Sequence, residues 1–381
     1  MPYKRNFQKS GAGVAIVSFL LIVSAGMLKS VSADDRDGYS KQSPPRTLTQ
    51  AQEKRAAQNY QKYCSLCHGE NREGYANDNA PSLTSRSLIE SGVPHGILRT
   101  LSYGRDGTAM GGYLDEVGGP LSLDETWDLT YWLFWQSGHD RIRLTENPVQ
   151  GDREKGKGLF QQHCATCHGE DGKGVEQDGH MIAPVLSNPS FLAYNKDEFI
   201  RYAIEWGREG TAMQSFRPLV SEEDLDNLTA YVRSFETGVQ PLGKPILRAE
   251  PEPKDYIINP NQSDPDFELR DGKYISSETL YAALKEGRRM VLLDTRVPSV
   301  WQRSHIEGSV PVPYYTDVDK LMEDIPKGVQ IVAYCSCPRA AADYLVKQLN
   351  DMGYSRTAVL YEGIFGWMQK GLPVMRGAVV R

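Results

Sequence analysis

Two short stretches of this sequence are near copies: CSLCHGE, with Cys64, Cys67 and His68, and CATCHGE, with Cys164, Cys167 and His168. The copying continues downstream, where YGRDGTAMGGY (Tyr103 to Tyr113) is answered by WGREGTAMQSF (Trp206 to Phe216). C-x-x-C-H is the attachment pattern of c-type haem. Two thiols at this spacing each form a thioether to a haem vinyl group, and the adjacent histidine is held beneath the iron as its proximal ligand. The chain has six cysteines, which in an exported protein would otherwise suggest disulfides. Zinc is the other rival, but a structural zinc site needs a different spacing of its third and fourth ligands.

The repeat also locates the second axial ligand. Met110 and Met213 hold the same place in the two G-R-x-G-T-A-M copies and follow their cysteine pairs at nearly the same distance. A lone methionine is usually core filler; two in matching loops read as haem ligands. His95, His163, His180 and Met181 are the rivals, of which His180 and Met181 compete at the second site and His163 reads as a helix end. Ala80-Pro81-Ser82-Leu83 pairs with Ala183-Pro184-Val185-Leu186. A proline there can offer its carbonyl to the Nδ1–H of the proximal histidine and so fix the ligand's orientation. Each copy opens and closes on a helical pattern, over 48–63 and 124–135 and over 155–163 and 222–235, which predicts two helices packed across one haem edge. Trp127, Tyr131, Trp132, Phe134 and Trp135 crowd the first closing pattern and read as packing rather than an electron path.

On these motifs residues 45–238 resemble two tandem class I cytochrome c domains, over 45–145 and 149–238. The resemblance implies two all-α domains, two covalently bound haem c groups with iron held by His68 and Met110 and by His168 and Met213, and one-electron transfer as the function. With both axial positions filled, oxygen or peroxide chemistry at iron is not expected. One departure is the glycine-rich, wet-looking MGGYLDEVGGP after Met110, longer than its counterpart, which is expected to alter the exposure or docking surface of the first haem.

Ahead of the repeats, Lys4, Arg5 and Lys9 precede an apolar run from Val14 to Val23 and small residues around Ala33, the pattern of an export signal over 1–33. It is either cleaved after Ala33 or retained as an anchor, because the uncharged run from Gly11 to Leu28 is at the lower edge of a membrane span. Both outcomes place the body of the chain in a periplasmic space. A net charge of −6, with no basic block beyond the extreme N-terminus, excludes a general electrostatic pull toward nucleic acid.

After the second repeat the composition changes. Residues 239–269 hold Pro241, Pro245, Pro251, Pro253, Pro260 and Pro265 and read as an extended tether that wraps a neighbouring domain. Over 270–381, apolar runs such as MVLLD, VQIVAY and TAVLY alternate with helical patterns, which predicts a small parallel α/β sheet. Ligands of such sheets sit at the carboxyl ends of the strands, and YCSCPRAA, with Cys335, Cys337 and Arg339, begins there. A thiol between a strand and a helix start is stabilised as thiolate by backbone N–H groups and the helix end, with Arg339 adding a cation.

This region resembles a rhodanese domain. The likeness rests on LLDTR (Asp294, Arg296), SHIEGSVPVP (His305 to Pro313), VAYC and VLYEGIFGWMQKGLPV (Val359 to Val374). It implies a cysteine that accepts sulfane sulfur and carries it as a persulfide, with Cys335, directly after the strand, favoured over Cys337, and Asp294, Arg296 and His305 organising the loop and strand ends. The loop departs from the family's, since Arg339 follows Cys335 one residue early and alanines come next. The expectation is therefore multidomain: two all-α cytochrome c domains and an α/β rhodanese-like domain. It serves electron transfer with a soluble or membrane partner and takes sulfur from thiosulfate or a persulfide. The alternative is a pure electron carrier or oxidase-associated subunit whose third domain is an inactive docking module.

Overall fold

Both copies of the repeat fold alike, for the same local reasons. In the computed structural model, which describes residues 39–42, 46–74, 80–177, 180–235, 243–336, 339–377 and 379–380, the first copy runs α1 (Gln50–Tyr63), α2 (Ser65–His68), α3 (Arg86–Ser91), α4 (Pro94–Tyr103) and α5 (Leu123–Trp135). The second runs α6 (Arg153–His163), α7 (Ala165–His168), a two-strand turn of β1 (Glu176–Gln177) and β2 (His180–Met181), then α8 (Pro189–Tyr194), α9 (Asp197–Trp206) and α10 (Glu222–Arg233). Capping boxes start α1, α5 and α10 at Thr49, Ser122 and Ser221. As the periodicity predicts, α1 packs on α5 and α6 on α10. Tyr60 meets Trp132 at 5.4 Å between ring centroids in the first crossing and Phe160 meets Tyr231 at 5.3 Å in the second. Gly156 permits the second crossing, because a Cβ there would lie 2.0 Å from the Asn227 carbonyl oxygen. The export-signal segment 1–33 lies outside the described residues. Among those that are described, no helix is long and apolar enough to cross a membrane.

The two copies hold each other reciprocally, through the one variable residue of G-R-x-G-T-A-M. Asp106 of the first accepts from Ser190 Oγ at 3.2 Å, and its carbonyl accepts from Asn188, the N-cap of α8. Glu209 of the second accepts from Ser85 Oγ and from the Ser87 N–H, both at 2.8 Å, at the start of α3. Each carboxylate thus serves the other copy's helix N-terminus, where unpaired N–H groups and the helix dipole favour negative charge. Buried Tyr202 adds a hydrogen bond to Glu90 across the same contact at 2.9 Å.

The third domain is a six-stranded sheet in the order β4 (Ile257–Ile258), β6 (Met290–Asp294), β9 (Ile331–Tyr334), β10 (Thr357–Leu360), β5 (Tyr274–Ile275), with β8 (Val310–Pro311) also on β6. Its central strands are apolar on both faces and fully buried, as parallel strands between helices must be. They are covered by α11 (Ser277–Lys285), α12 (Pro298–Arg303), α13 (Val318–Leu321), α14 (Ala340–Asp351) and α15 (Gly363–Gln369). The sheet is mixed rather than wholly parallel, because β4 joins β6 antiparallel. That strand comes from the proline-rich 239–269, which is therefore packed structure and not only a tether. Earlier in it, β3 (Lys244–Pro245) pairs with the terminal β12 (Val379–Val380), while β7 (Ser304–His305) pairs with β11 (Met375–Arg376).

The loop after Met110 is not wet. Gly111, Gly112, Leu114, Val117 and Leu121 are buried, because α12 of the third domain lies on it. Ser299 Oγ donates to the Gly112 carbonyl at 2.6 Å, and a Cβ on Gly111 would stand 2.3 Å from Val297 Cγ1. Arg303 of α12 reaches Asp106 at 3.9 Å. The expectation of an exposed loop fails because sequence glycine content cannot show what will cover it.

A comparable close approach fixes the thiol loop. Gly363, at φ +59°, would with a Cβ place it 1.8 Å from the Ser336 carbonyl oxygen, and the Ile364 N–H bonds the Cys335 carbonyl at 2.9 Å. Gly363→Ala is expected to lower the stability of the third domain by about 2 kcal/mol or more through backbone strain and displacement of this loop. Urea unfolding followed by tryptophan fluorescence checks this, and an unchanged midpoint would contradict it.

Candidate functional site

The C-x-x-C-H segments sit at helix junctions: Cys64 ends α1 and opens α2, and Cys164 ends α6 and opens α7. One short turn therefore carries both thiols and the histidine on the cleft side. His68 Nδ1 lies 2.9 Å from the Pro81 carbonyl oxygen and His168 Nδ1 lies 3.0 Å from that of Pro184. A proline carbonyl only accepts, so Nδ1 is the protonated nitrogen and Nε2 keeps its lone pair. Burial holds both histidines below the usual imidazole range, with the charge of Arg105 adding to it at His68 against the proline contact. Burial, and then the neighbouring thiol, pushes Cys64 up to about 12 and Cys164 up to about 11, so both are neutral thiols.

The methionine loops are superposable in their bonding. The Arg105 N–H bonds the Met110 carbonyl at 2.7 Å, Thr108 Oγ1 donates to the Arg105 carbonyl at 2.9 Å, and the Met110 N–H bonds Thr108 Oγ1 at 3.2 Å. The second copy repeats this with Arg208, Thr211 and Met213 at 2.8, 2.7 and 3.1 Å. Glycine is required at the entry of each, since a Cβ on Gly104 would lie 2.5 Å from the Met110 oxygen and one on Gly207 2.5 Å from the Met213 oxygen. Met110 packs half-buried in one cluster with Cys64, Leu83, Ile97 and Tyr113. Met213 is half-buried in the matching loop. Among the rivals, His163 is the last residue of α6 and His95 stands edge-on to Trp127 at 5.1 Å. His180 and Met181 form β2.

The residues fit a haem. Among the described residues no group of three or more His, Cys, Asp or Glu side chains gathers as a metal site, and Cys64, Cys67, Cys164 and Cys167 are thiols rather than disulfides. What each copy offers instead is two thiols and one imidazole Nε2 on one turn, and a methionine thioether in a matching loop. Arg105 acts on His68 and is held below the usual guanidinium range by burial, with no carboxylate raising it. A buried cation without a counter-ion is costly, and haem propionates would supply one. Arg208 is pushed down to about 10, by burial first and with Arg105 contributing, although Glu209 and Tyr202 oppose the shift. The two loops thus bring their arginines together at the contact between the copies, with Arg105 over the Phe191 ring and Arg208 donating to Ser87 at 3.1 Å.

In the third domain the parallel register sets the thiol's surroundings. Asp294 pairs with Tyr334, so Thr295 leaves the sheet level with Cys335 and Arg296 follows one residue later. Arg296 is buried in a two-pronged bond to Asp294, and its charge acts on Cys335. Cys335 is 5% exposed and packs with Ala333, Ala342 and Leu345. Cys337 lies outside the described residues. Arg339 donates to the Tyr361 carbonyl at 3.1 Å and stacks on that ring at 4.2 Å, while its Nε is buried with no partner among the described residues. Arg296 is thus a cation whose charge interacts with Cys335. Its D-x-R motif was visible in the sequence, but the register that aims it at the thiol is a long-range property. His305 Nδ1 donates to the Trp301 carbonyl at 2.8 Å and the ring stacks on that indole, a strand-end role.

Comparison with known proteins agrees with this anatomy. The family described as cytochrome C oxidase, cbb3-type, subunit III matches residues 51–133 and again 151–232, and the rhodanese-like domain family matches 276–370. The cbb3-type cytochrome c oxidase subunit CcoP of Helicobacter pylori strain 52 is 30% identical over 178 residues, 46% of this chain and 55% of that protein. The CcoP of Rhodobacter capsulatus is 27% identical over 195 residues, 47% of this chain and 61% of that one. The chain spans about half the length of the curated relatives it matches. A solution structure of a rhodanese-like domain from Anabaena is 23% identical, covering 27% of this chain and 78% of that one, with a TM-score of 0.26.

Removing the uncompensated charge beside His68 tests the fit. Arg105→Gln is expected to lower the midpoint potential of one of the two haems by about 40 mV, roughly 1 kcal/mol for one electron, because a nearby cation favours the reduced state. Potentiometric titration of the α-band checks it, and two unmoved potentials would contradict the placement of Arg105.

Proposed function

Starting from two cytochrome c domains of the cbb3-type subunit III kind followed by a rhodanese-like domain, we propose that this chain is a periplasmic dihaem electron carrier that serves a cbb3-type or similar oxidase, with a third domain that takes up sulfane sulfur. The observation that carries the first part is the duplicated ligand set: His Nδ1–H on a proline carbonyl at 2.9 and 3.0 Å, each with a threonine-closed methionine loop in the same copy. Haem c bound at each motif supplies a one-electron ferric/ferrous couple whose potential methionine ligation raises. The chain's own part is positional. Pro81 and Pro184 fix the imidazoles, Cys64, Cys67, Cys164 and Cys167 would hold the macrocycle covalently, and Met110 and Met213 would supply the second ligand to each iron. Interlocked Asp106 and Glu209 keep the two sites in one fixed relation, which suits transfer between them. The likeness to CcoP supports an oxidase as the partner.

The sulfur reading rests on Cys335 leaving the sheet ahead of α14, with the charge of Arg296 acting on it. The buried Arg339 Nε without a partner among the described residues supports an anionic substrate. A thiolate here attacks the outer sulfur of thiosulfate. The S–S bond of thiosulfate breaks, sulfite leaves with the bonding pair, and a cysteine persulfide remains. A nucleophile such as cyanide then takes the outer sulfur as thiocyanate and returns the thiolate. Cys335 is the acceptor in this reading, with Cys337 as the rival thiol of the same loop.

Two measurements test the two parts. The reduced holoprotein is expected to be reoxidised in air by membranes containing a cbb3-type oxidase and not by membranes lacking it; equal rates would contradict the partner. Thiocyanate formation from thiosulfate and cyanide is expected in the wild type and to fall at least about 100-fold in Cys335→Ser, while Cys337→Ser retains it. Absence of both thiocyanate and a one-sulfur mass increase in folded, reduced protein would leave the third domain as a docking module.

A further inference from the structure

The carboxyl ends of β6, β8 and β9 emerge together, and what they meet is the first haem site. Beyond β8 the chain reads Val312-Pro313-Tyr314-Tyr315. The Tyr314 N–H bonds the Thr295 carbonyl at 3.2 Å, and the Thr295 N–H bonds the carbonyl of Tyr334, the neighbour of Cys335, at 2.8 Å. At its other end the Tyr314 hydroxyl donates to the carbonyl of Tyr63, the neighbour of Cys64, at 2.8 Å. Tyr315 stands edge-on to the Tyr63 ring at 4.8 Å, and Tyr63 lies 6.4 Å from Tyr113. Tyr314 is half-buried, and the groups around its hydroxyl are Cys67, Cys64, Tyr315 and Tyr113, the last hydrogen-bonded to it. Hydrogen bonds therefore link Tyr334, next to Cys335, through Thr295 and Tyr314 to Tyr63, next to Cys64, and Tyr314 stands against that cysteine pair while Tyr315 packs on Tyr63.

The second copy shows the same cleft without these two tyrosines. His163 and Phe216 stand where Tyr63 and Tyr113 stand, 6.1 Å apart, and Cys167 is exposed where Cys67 is half-buried. The third domain also clamps the first methionine loop, through Ser299 on Gly112 and Val297 on Gly111, whereas Gln214, which stands where Gly111 stands, is exposed. We propose that the third domain completes the first haem site: Tyr314 and Tyr315 close its edge at Cys64 and Cys67, so the first haem is the inner site and external electron donors and acceptors reach the second haem at Cys167. The inference rests on haem attachment at both motifs and not on the sulfur chemistry.

The test is anaerobic stopped-flow reduction of the oxidised holoprotein by ruthenium(II) hexaammine, which gives one electron to each ferric haem and becomes ruthenium(III), in the wild type, Tyr314→Ala and Tyr314→Phe. Met213→His, which moves the band of the second haem alone, assigns the phases. Two phases are expected, the slow one belonging to the first haem. Tyr314→Ala should speed that phase about tenfold, the scale on which access changes an encounter rate. It should also shift the midpoint potential of the first haem alone, while Tyr314→Phe keeps the ring and the slow phase. A single phase in the wild type, a slow phase belonging to the second haem, or an Ala variant with unmoved rate and potential would each overturn the inference. Fewer than two haems by pyridine haemochromogen would overturn the reading beneath it.

Discussion

The threonine-closed turn of G-R-x-G-T-A-M is the interaction on which the rest of the molecule is built. Its hydroxyl accepts the methionine N–H and donates to the arginine carbonyl in both copies, so one side chain ties down both ends of the turn. Three outputs follow from that rigidity. The methionine backbone is fixed, the arginine is held half-buried at the contact between the copies, and the variable carboxylate reaches the other copy. A looser turn would lose all three, since each depends on backbone directions that only glycine at the entry permits.

From the turn outward the structure acquires its order. Because Asp106 serves α8 and Glu209 serves α3, the two copies meet through their methionine loops. That leaves both cysteine edges for other contacts, and the third domain takes the first of them. The same residue, Asp106, also receives Arg303 of that domain, so a single carboxylate joins three bodies. Asymmetry between the two modules thus comes both from what is appended to one of them and from their own sequences, with Tyr63 and Tyr113 answered by His163 and Phe216.

Much of this was legible in the sequence, and what was not has common physical causes. The cysteine pairs, histidines and methionine loops announce themselves by spacing, and the proline carbonyls by position in the repeat. The long helices follow from their periodicity and cap at Thr49, Ser122 and Ser221. Strands of two residues such as β4 and β5 carry no readable alternation, so the mixed character of the sheet was invisible. That Arg296 acts on Cys335 depends on strand register, and register is set by partners far away in the chain. Gly111, Gly112, Tyr314 and Tyr315 look like surface residues until α12 and the end of β8 are placed on the first copy.

The account stands or falls on two covalently held haems with histidine and methionine ligation in one chain. The most direct measurement is the near-infrared methionine–iron charge-transfer band of the oxidised protein, normalised to covalent haem counted as pyridine haemochromogen. The account requires two haems per chain, both low-spin, with the full charge-transfer intensity of two methionine-ligated irons. One haem per chain, half the band intensity, or a high-spin component would show that at least one of Met110 and Met213 is not a ligand, and the duplicated site would have to be reassigned.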